Sequence, residues 1–249
     1  MTTDRKHVDG PQVLHFERNR QGRDFVVGDV HGCFGALQEA LDAIGFMPEC
    51  DRLFCTGDLV DRGRESHLVT AWLDQPWFAS ALGNHDLMAF EYALCEPSAL
   101  SSSSLANHGG GWMLELPKAE QTRIGERLRA LPLTIEIETE AGPVGLVHAD
   151  FPFDDWRKVE TLFSEDDRQI CLWSTMRFDR VYRKAVANVR ALVHGHLTLS
   201  TAQKLGNVHF IDTGGWLVGE GHFTFVELES LNLIKGPGPN ASFGAPRNR

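Results

Sequence analysis

The CxxC spacing occurs nowhere in this chain, and its five cysteines, at 33, 50, 55, 95 and 171, are scattered and odd in number. That argues against a disulfide framework and predicts reduced thiols in a cytoplasmic protein. Long apolar runs are equally absent. The first 25 residues, MTTDRKHVDGPQVLHFERNRQGRDF, are polar and hold no stretch of signal-peptide or membrane-span length, so no membrane association is expected. Positive charge is in short supply: 24 Lys and Arg stand against 34 Asp and Glu, for a formal net charge of −10. An acidic chain is repelled by polyanions, which argues against nucleic acid as a partner. There is no internal repeat either, so the organisation is read from local patterns.

What is there is an ordinary globular composition, 249 residues with 42% hydrophobic and 23% charged, long enough for one large core or two small ones. DFVVGDV (24–30) is a β-branched run ended by Gly28, and CFGALQEALDAIG (33–45) follows with apolar residues at 34, 37, 41 and 44, a helical period. DRLFCTGDLV, ESHLVTAWLDQ, WFASALGN and HDLMAFEYALC repeat the strand–helix alternation. Three such units predict parallel strands with helical crossovers, an α/β layered sheet. EPSALSSSSLANHGGGW (96–112) is expected to be a surface loop near the site, and 118–131 an amphipathic helix. Strand candidates at 133–139, 143–148, 190–194, 208–212 and 223–228 make the second half mainly strands. The Pro, Gly and Asn content of 235–249 predicts disorder.

The chemistry gathers at strand ends. GDVHG, GDLVDRG and GNHD close the first three strands, so Asp29, His31, Asp58, Asp61, Asn84 and His85 fall at equivalent carboxyl ends, which open onto one crevice. VGLVHAD adds His148, and ALVHGH adds His194 and His196. Taken alone, GDLVDRG could be a polar turn after a core strand; the convergence of several such ends changes its meaning. Asp, His and Asn suit a first-row divalent ion, and no thiolate set competes. Asp29, His31, Asp58, Asn84, His148 and His196 are too many for one open catalytic metal and suit two, with Asp58 shared between them. The remaining histidines, His7, His15, His67, His209 and His222, read as satisfied polar groups; His108 is open to either role. Strand alternation puts 194 and 196 on one face, which leaves His194 as a support for His196 or as an extra ligand.

These motifs, in this order, resemble the calcineurin-type metallophosphoesterase superfamily, specifically its phosphoprotein phosphatase branch. GDVHGC, GDLVDRG, NHGGGW, LPLTIE and HADFPFD are similar to the small phage-lambda-type Ser/Thr protein phosphatases, over about residues 24–225. The resemblance implies a layered metallophosphoesterase fold, a β-sheet sandwich flanked by helices. It divides the chain into an N-terminal arm (1–23), a catalytic domain (24–229) and a disordered tail (230–249). It implies two divalent ions, Mn²⁺ first and Zn²⁺ or iron as substitutes. Asp29 and His31 would bind the first metal, Asp58 would bridge, and Asn84, His148 and His196 would bind the second. His85 would protonate the leaving oxygen, oriented by Asp61, while Arg62 would hold phosphate oxygens.

Physically, a phosphate monoester dianion repels hydroxide. Two divalent ions offset that charge and lower the pKa of a bridging water for in-line attack. A serine or threonine alkoxide is a poor leaving group and needs the proton that His85 can give. The chain departs from the lambda-like pattern in one place: the arginine expected two residues after a tryptophan falls on Thr175, and Arg177 lies two further on, the candidate replacement for binding phosphate. The expected activity is a Ser/Thr phosphomonoesterase acting on a phosphoprotein or small phosphoester. The rivals are a symmetrical diadenosine tetraphosphate hydrolase, which shares these motifs, and a metal-binding module without catalysis.

Overall fold

The computed structural model describes residues 11–95, 100–160 and 164–239. Strand β1 (Val13–Phe16) comes first. Then β2 (Asp24–Val27), β3 (Arg52–Cys55) and β4 (Phe78–Ser80) alternate with α1 (Phe34–Ala43) and α2 (Val69–Leu73), and α3 (Asn84–Leu94) follows. Helices α4 (Ser102–Asn107), α5 (Gly111–Leu114) and α6 (Lys118–Arg129) lead to β5 (Thr134–Ile137) and β6 (Val144–Val147). Beyond them lie α7 (Glu165–Trp173), α8 (Met176–Asp179), β7 (Ala191–His194), β8 (Gln203–Leu205), β9 (Val208–Phe210), β10 (Thr224–Glu227) and β11 (Asn232–Lys235).

Two sheets result. One has the order β11-β10-β2-β3-β4, with β2, β3 and β4 parallel and β10 antiparallel to β2; the other has the order β1-β5-β6-β7-β9-β8. The apolar runs of β2 and β3 exist because both faces are covered. Phe25, Val27, Leu53 and Cys55 pack with Leu37 and Leu41 of α1. Val26 and Phe54 point the other way and meet Ile135, Val144, Leu146 and Val193 of the second sheet. The period of two along each strand thus builds a sandwich with helices outside, the α/β layered architecture expected from the sequence.

The edges differ from expectation. β1 lies in the supposed arm and runs parallel to β5, and β11 lies in the supposed tail and pairs with β10. Both are short edge strands whose pattern is too weak to stand out alone, and pairing decides them. Residues 1–10 and 240–249 of those segments lie outside the described residues. The 96–112 stretch is not a plain loop, since it contains α4 and the start of α5, Gly111 and Trp112; 96–99 lie outside the described residues. Ser101 caps α4 by accepting from the Ser104 amide at 3.1 Å, which converts a serine-rich run into a helix start. The second half also holds more helix than expected, in α7 and α8.

Candidate active site

The carboxyl ends of β2, β3, β4, β6 and β7 converge, and their loops are stitched by backbone bonds. Val30 and His31 donate to the Asp58 carbonyl at 3.1 and 2.8 Å, and Gly63 donates to the His31 carbonyl at 2.9 Å. The fit is close enough to exclude side chains at two glycines. A Cβ at Gly83 would strike the Asp58 carboxylate, and one at Gly195 the Asp29 carboxylate. Asp86 anchors the start of α3 by accepting from the Gly83 amide at 3.0 Å and the Leu59 amide at 2.9 Å. Five non-glycine residues of the site hold left-handed backbone: His31 (φ 46°), Asp58 (52°), Asp61 (72°), Arg62 (65°) and His196 (63°). Each such residue costs on the order of 1–2 kcal/mol, a strain that the surrounding hydrogen bonds impose.

Asp58 stands at the centre. Its Oδ2 lies 3.6 Å from His31 Nε2 and 3.4 Å from His148 Nε2. It belongs to two groups of side chains that could each hold an ion, His31–Asp58–His85 and Asp58–His148–His196. Asp29 Oδ2 is 4.0 Å from His31 Nε2, and the Asn84 Oδ1 lies 2.9 Å from His148 Nε2 and 3.0 Å from His196 Nδ1. All six residues expected to bind metal are therefore gathered in one place, with Asp58 between the two halves.

Supporting bonds fix which nitrogen each imidazole presents. His31 Nδ1 donates to the Val60 carbonyl at 2.9 Å and His148 Nδ1 to the Thr56 carbonyl at 3.2 Å, so both turn Nε2 inward. His196 turns Nδ1 inward and is hydrogen-bonded to the Trp173 backbone. Burial, helped by the Arg62 charge, keeps His31 neutral far below its ordinary value; burial and His148 lower His196 to about 4. Burial pushes the Asp29 carboxyl well above the usual carboxylate range, with Asp212 and Asp58 adding repulsion. Burial raises Asp58 too, but His148 and His85 outweigh it and hold that carboxyl well below its usual range.

This donor set fits divalent cations. His31 Nε2 is buried with no hydrogen-bond partner among the described residues, although it faces two carboxylates. Neutral imidazole lone pairs beside carboxylates that repel one another are costly when bare and favourable around a cation.

Beside this cluster sits a second functional group. His85 Nδ1 donates to Asp61 Oδ2 at 2.8 Å, and the same carboxylate accepts from Trp112 Nε1 at 2.8 Å through Oδ1. The other ring nitrogen, His85 Nε2, lies 3.1 Å from Arg62 Nη2. Arg62 and His85 line an open cleft of about 1020 Å³ together with Arg64, His108, Glu115 and Glu220. His108 belongs to this cleft, its ring 6.4 Å from that of His85 and its Nδ1 donating to the Ser104 carbonyl at 2.8 Å.

Two expectations change. Arg177 is not brought to the cleft. It is buried beside a separate cavity of about 320 Å³, where Nη1 donates to the carbonyl of Lys184 at 3.0 Å and Nε lies 3.4 Å from Asp150. Its backbone amide also donates to Asp150, at 3.0 Å, so the two-residue offset is not absorbed by a flexible loop. His194 does not share a face with His196. β7 ends at His194, whose ring lies 5.4 Å from Phe210 and whose Nδ1 donates to the Val147 carbonyl at 2.7 Å, while the chain turns at Gly195 and His196. His209 is buried away from the site, but it is not the satisfied polar group expected, since its Nε2 has no hydrogen-bond partner among the described residues.

Sequence reasoning missed three site residues. Trp112 and Trp216 come from outside the strand-end motifs, and only the structure shows them against Asp61 and Arg62. Asp212 was legible in principle, since FIDTGG is another strand end closing on Asp and Gly. It is buried, accepts from Thr198 Oγ1 at 2.7 Å and repels Asp29.

This arrangement defines a phosphoester hydrolase of the two-metal kind, and the chain belongs to the calcineurin-like phosphoesterase family, whose model matches residues 25–232. It is 31% identical over 212 residues to "Serine/threonine-protein phosphatase 2" of Escherichia coli (strain K12), covering 82% of this chain and 92% of that protein. A shorter likeness, 34% over 130 residues, links it to "Bis(5'-nucleosyl)-tetraphosphatase, symmetrical" of Methylococcus capsulatus, covering 51% of this chain and 43% of that one. A crystal structure assigned provisionally to a diadenosine tetraphosphatase superposes with a TM-score of 0.68 at 23% identity, over 93% of this chain and 100% of that chain, which speaks for the fold alone.

Proposed function

We propose that the protein is a dinuclear metal-dependent phosphomonoesterase acting on phosphoserine and phosphothreonine in proteins. The observation that carries this reading is the Asp61–His85–Arg62 array beside the shared Asp58. Asp29, His31 and Asp58 would hold one ion and Asp58, Asn84, His148 and His196 the other. Bound there, the ions would supply Lewis acidity toward the phosphate and an activated water. Mn²⁺ suits this mixed oxygen and imidazole set better than Mg²⁺, which favours oxygen ligands in strict octahedral geometry.

The chain's own groups do the rest. Arg62 offers a planar fork to two phosphate oxygens. In the structure its Nη2 caps His85 Nε2; as the guanidinium turns to phosphate, that nitrogen is freed to take up a proton from solvent and pass it to the departing alkoxide, which leaves as the alcohol. Asp61, held from its other side by Trp112, orients the His85 ring and stabilises its charged form. The cleft offers two guanidinium groups, Arg62 and Arg64, and opposes them with Glu115 and Glu220. That balance suits a single phosphate on a polypeptide better than a chain of four phosphates.

The segmental likeness to symmetrical tetraphosphatases keeps diadenosine tetraphosphate as the second reading. Turnover of a phosphoserine peptide, nitrophenyl phosphate and diadenosine tetraphosphate by the Mn²⁺-loaded protein tests both. Preference for the nucleotide over the peptide would reverse their order. The buried thiols of Cys55 and Cys171, outside any disulfide, support a reducing, cytoplasmic setting. Among the described residues no helix is long and apolar enough to cross a membrane.

A further inference from the structure

Arg62 is not a free surface arginine. Its guanidinium carbon lies 4.3 Å above the Trp216 ring, its Nη2 meets His85 Nε2 at 3.1 Å, and its backbone amide donates to the Gly109 carbonyl at 3.1 Å. Trp216 in turn packs T-shaped against the His31 ring, with ring centroids 5.3 Å apart. A cation over an indole face is drawn by the ring quadrupole, and the attraction grows as water is excluded. The indole Nε1 is buried and has no hydrogen-bond partner among the described residues, so the ring serves as a face and not as a donor.

We propose that Trp216 is the positioning residue for the phosphate clamp. It holds the Arg62 plane so that the fork swings between His85 Nε2 and a phosphate oxygen without leaving the indole face. The role rests on the phosphatase reading, because it gives Arg62 a phosphate to bind. Without the ring, Arg62 would sample solvent rotamers and lose its preorganisation toward phosphate, which weakens every phosphate-dependent step. Since the ring donates no hydrogen bond, another flat aromatic ring should serve, whereas an aliphatic side chain of similar bulk should not.

The test uses the Mn²⁺-loaded protein, with metal content measured for each variant. Trp216→Leu should weaken competitive inhibition by inorganic phosphate and raise KM for nitrophenyl phosphate by about 3- to 30-fold, the range of one cation–π contact. Trp216→Phe should recover most of that loss. In an Arg62→Ala background the same Trp216→Leu change should alter phosphate binding by less than about twofold, because the partner through which the ring acts is gone. Equal losses with and without Arg62, or a Leu variant indistinguishable from the parent, would overturn the proposal. A Leu variant that has lost metal would instead assign Trp216 to the support of His31, and would overturn it too. A parent protein that neither binds phosphate nor hydrolyses any phosphoester would remove the phosphatase reading itself, and with it the role of Arg62.

Discussion

The backbone amide of His85 donates to Asp58 Oδ1 at 2.8 Å. The carboxylate shared by the two prospective metal positions and the residue that would deliver the proton are thus locked at a fixed separation by one bond. The same carboxylate faces His31 and His148 through its other oxygen, at 3.6 and 3.4 Å. Metal loading and acid catalysis are geometrically linked, and the two need to be separated experimentally.

Metal removal gives the first separation. Exhaustive chelation should abolish phosphatase activity, Mn²⁺ should restore it and Mg²⁺ should restore less. Binding to the native state alone should also raise the unfolding free energy by about 2.7 kcal/mol at a hundredfold excess over Kd. Full activity in protein shown by elemental analysis to be metal-free would defeat the two-metal reading.

Changing His85 to Asn gives the second. Turnover of a phosphoserine peptide should fall by about 10² to 10⁴, with less loss on nitrophenyl phosphate, whose leaving group needs little protonation. Metal content should stay at the parental level. Trp112→Phe, which removes one donor from Asp61, should act in the same direction and more weakly, lowering kcat with KM little changed. Equal losses on both substrates in the His85 variant would point to a ligand role.

Arg177→Ala should leave KM and kcat of the folded protein close to parental values, because its guanidinium is engaged with Asp150 and the Lys184 carbonyl away from the cleft. Stability should suffer, by at most about 3 kcal/mol, since the buried Asp150 loses its cationic partner and keeps only the backbone amides of Phe151 and residue 177. Thr175→Arg should raise kcat/KM by adding a second phosphate fork next to the segment that supports His196. Denaturant melts and kinetics on one phosphopeptide read both changes, and a large loss of kcat/KM in the Arg177 variant would return that residue to the site.

Acid should destabilise the metal-free protein in a defined window. Burial lowers His194, His196 and His209 to about 4, below the ordinary value of 6.5. The unfolded chain therefore binds more protons than the native one between those limits, and the stability these neutral imidazoles carry is complete above about pH 6.5 and lost as pH falls toward 4. Each contributes on the order of 1 kcal/mol per pH unit there. Urea melts of metal-free protein at pH 7 and 5 should show the fall, and His209→Gln should flatten it without touching the metal residues.

The parts of this molecule most legible in its sequence are those where one physical demand dominates. Doubly buried strands such as β2 and β3 need unbroken apolar runs, and strand-end loops that gather charge need Asp, His and Gly in short, unusual strings. β1 and β11 were hidden because edge strands answer chiefly to their neighbours. Arg177 misled because sequence distance does not say which way α8 turns its side chain, and Asp150 decides that. Trp112 stands in the NHGGGW string and Trp216 directly after FIDTGG, yet their roles were unread for a related reason: nothing local marks a tryptophan as the prop of a distant carboxylate or guanidinium.

The position of β10 between β2 and β11 also governs when this protein can begin to work. Strands β2 to β4 leave the ribosome before β10, carrying Asp29, His31, Asp58, Asn84 and His85, yet β2 acquires its second neighbour only when Thr224–Glu227 has been made. His148 and His196 arrive on the other sheet in between. A nascent chain stalled before residue 224 would hold every prospective ligand and lack the strand that closes the sheet around them. Its half-built site could bind metal loosely and hydrolyse nothing efficiently, so activity should switch on only after β10 has been made and has paired with β2, with that long-range pairing as the slow folding step.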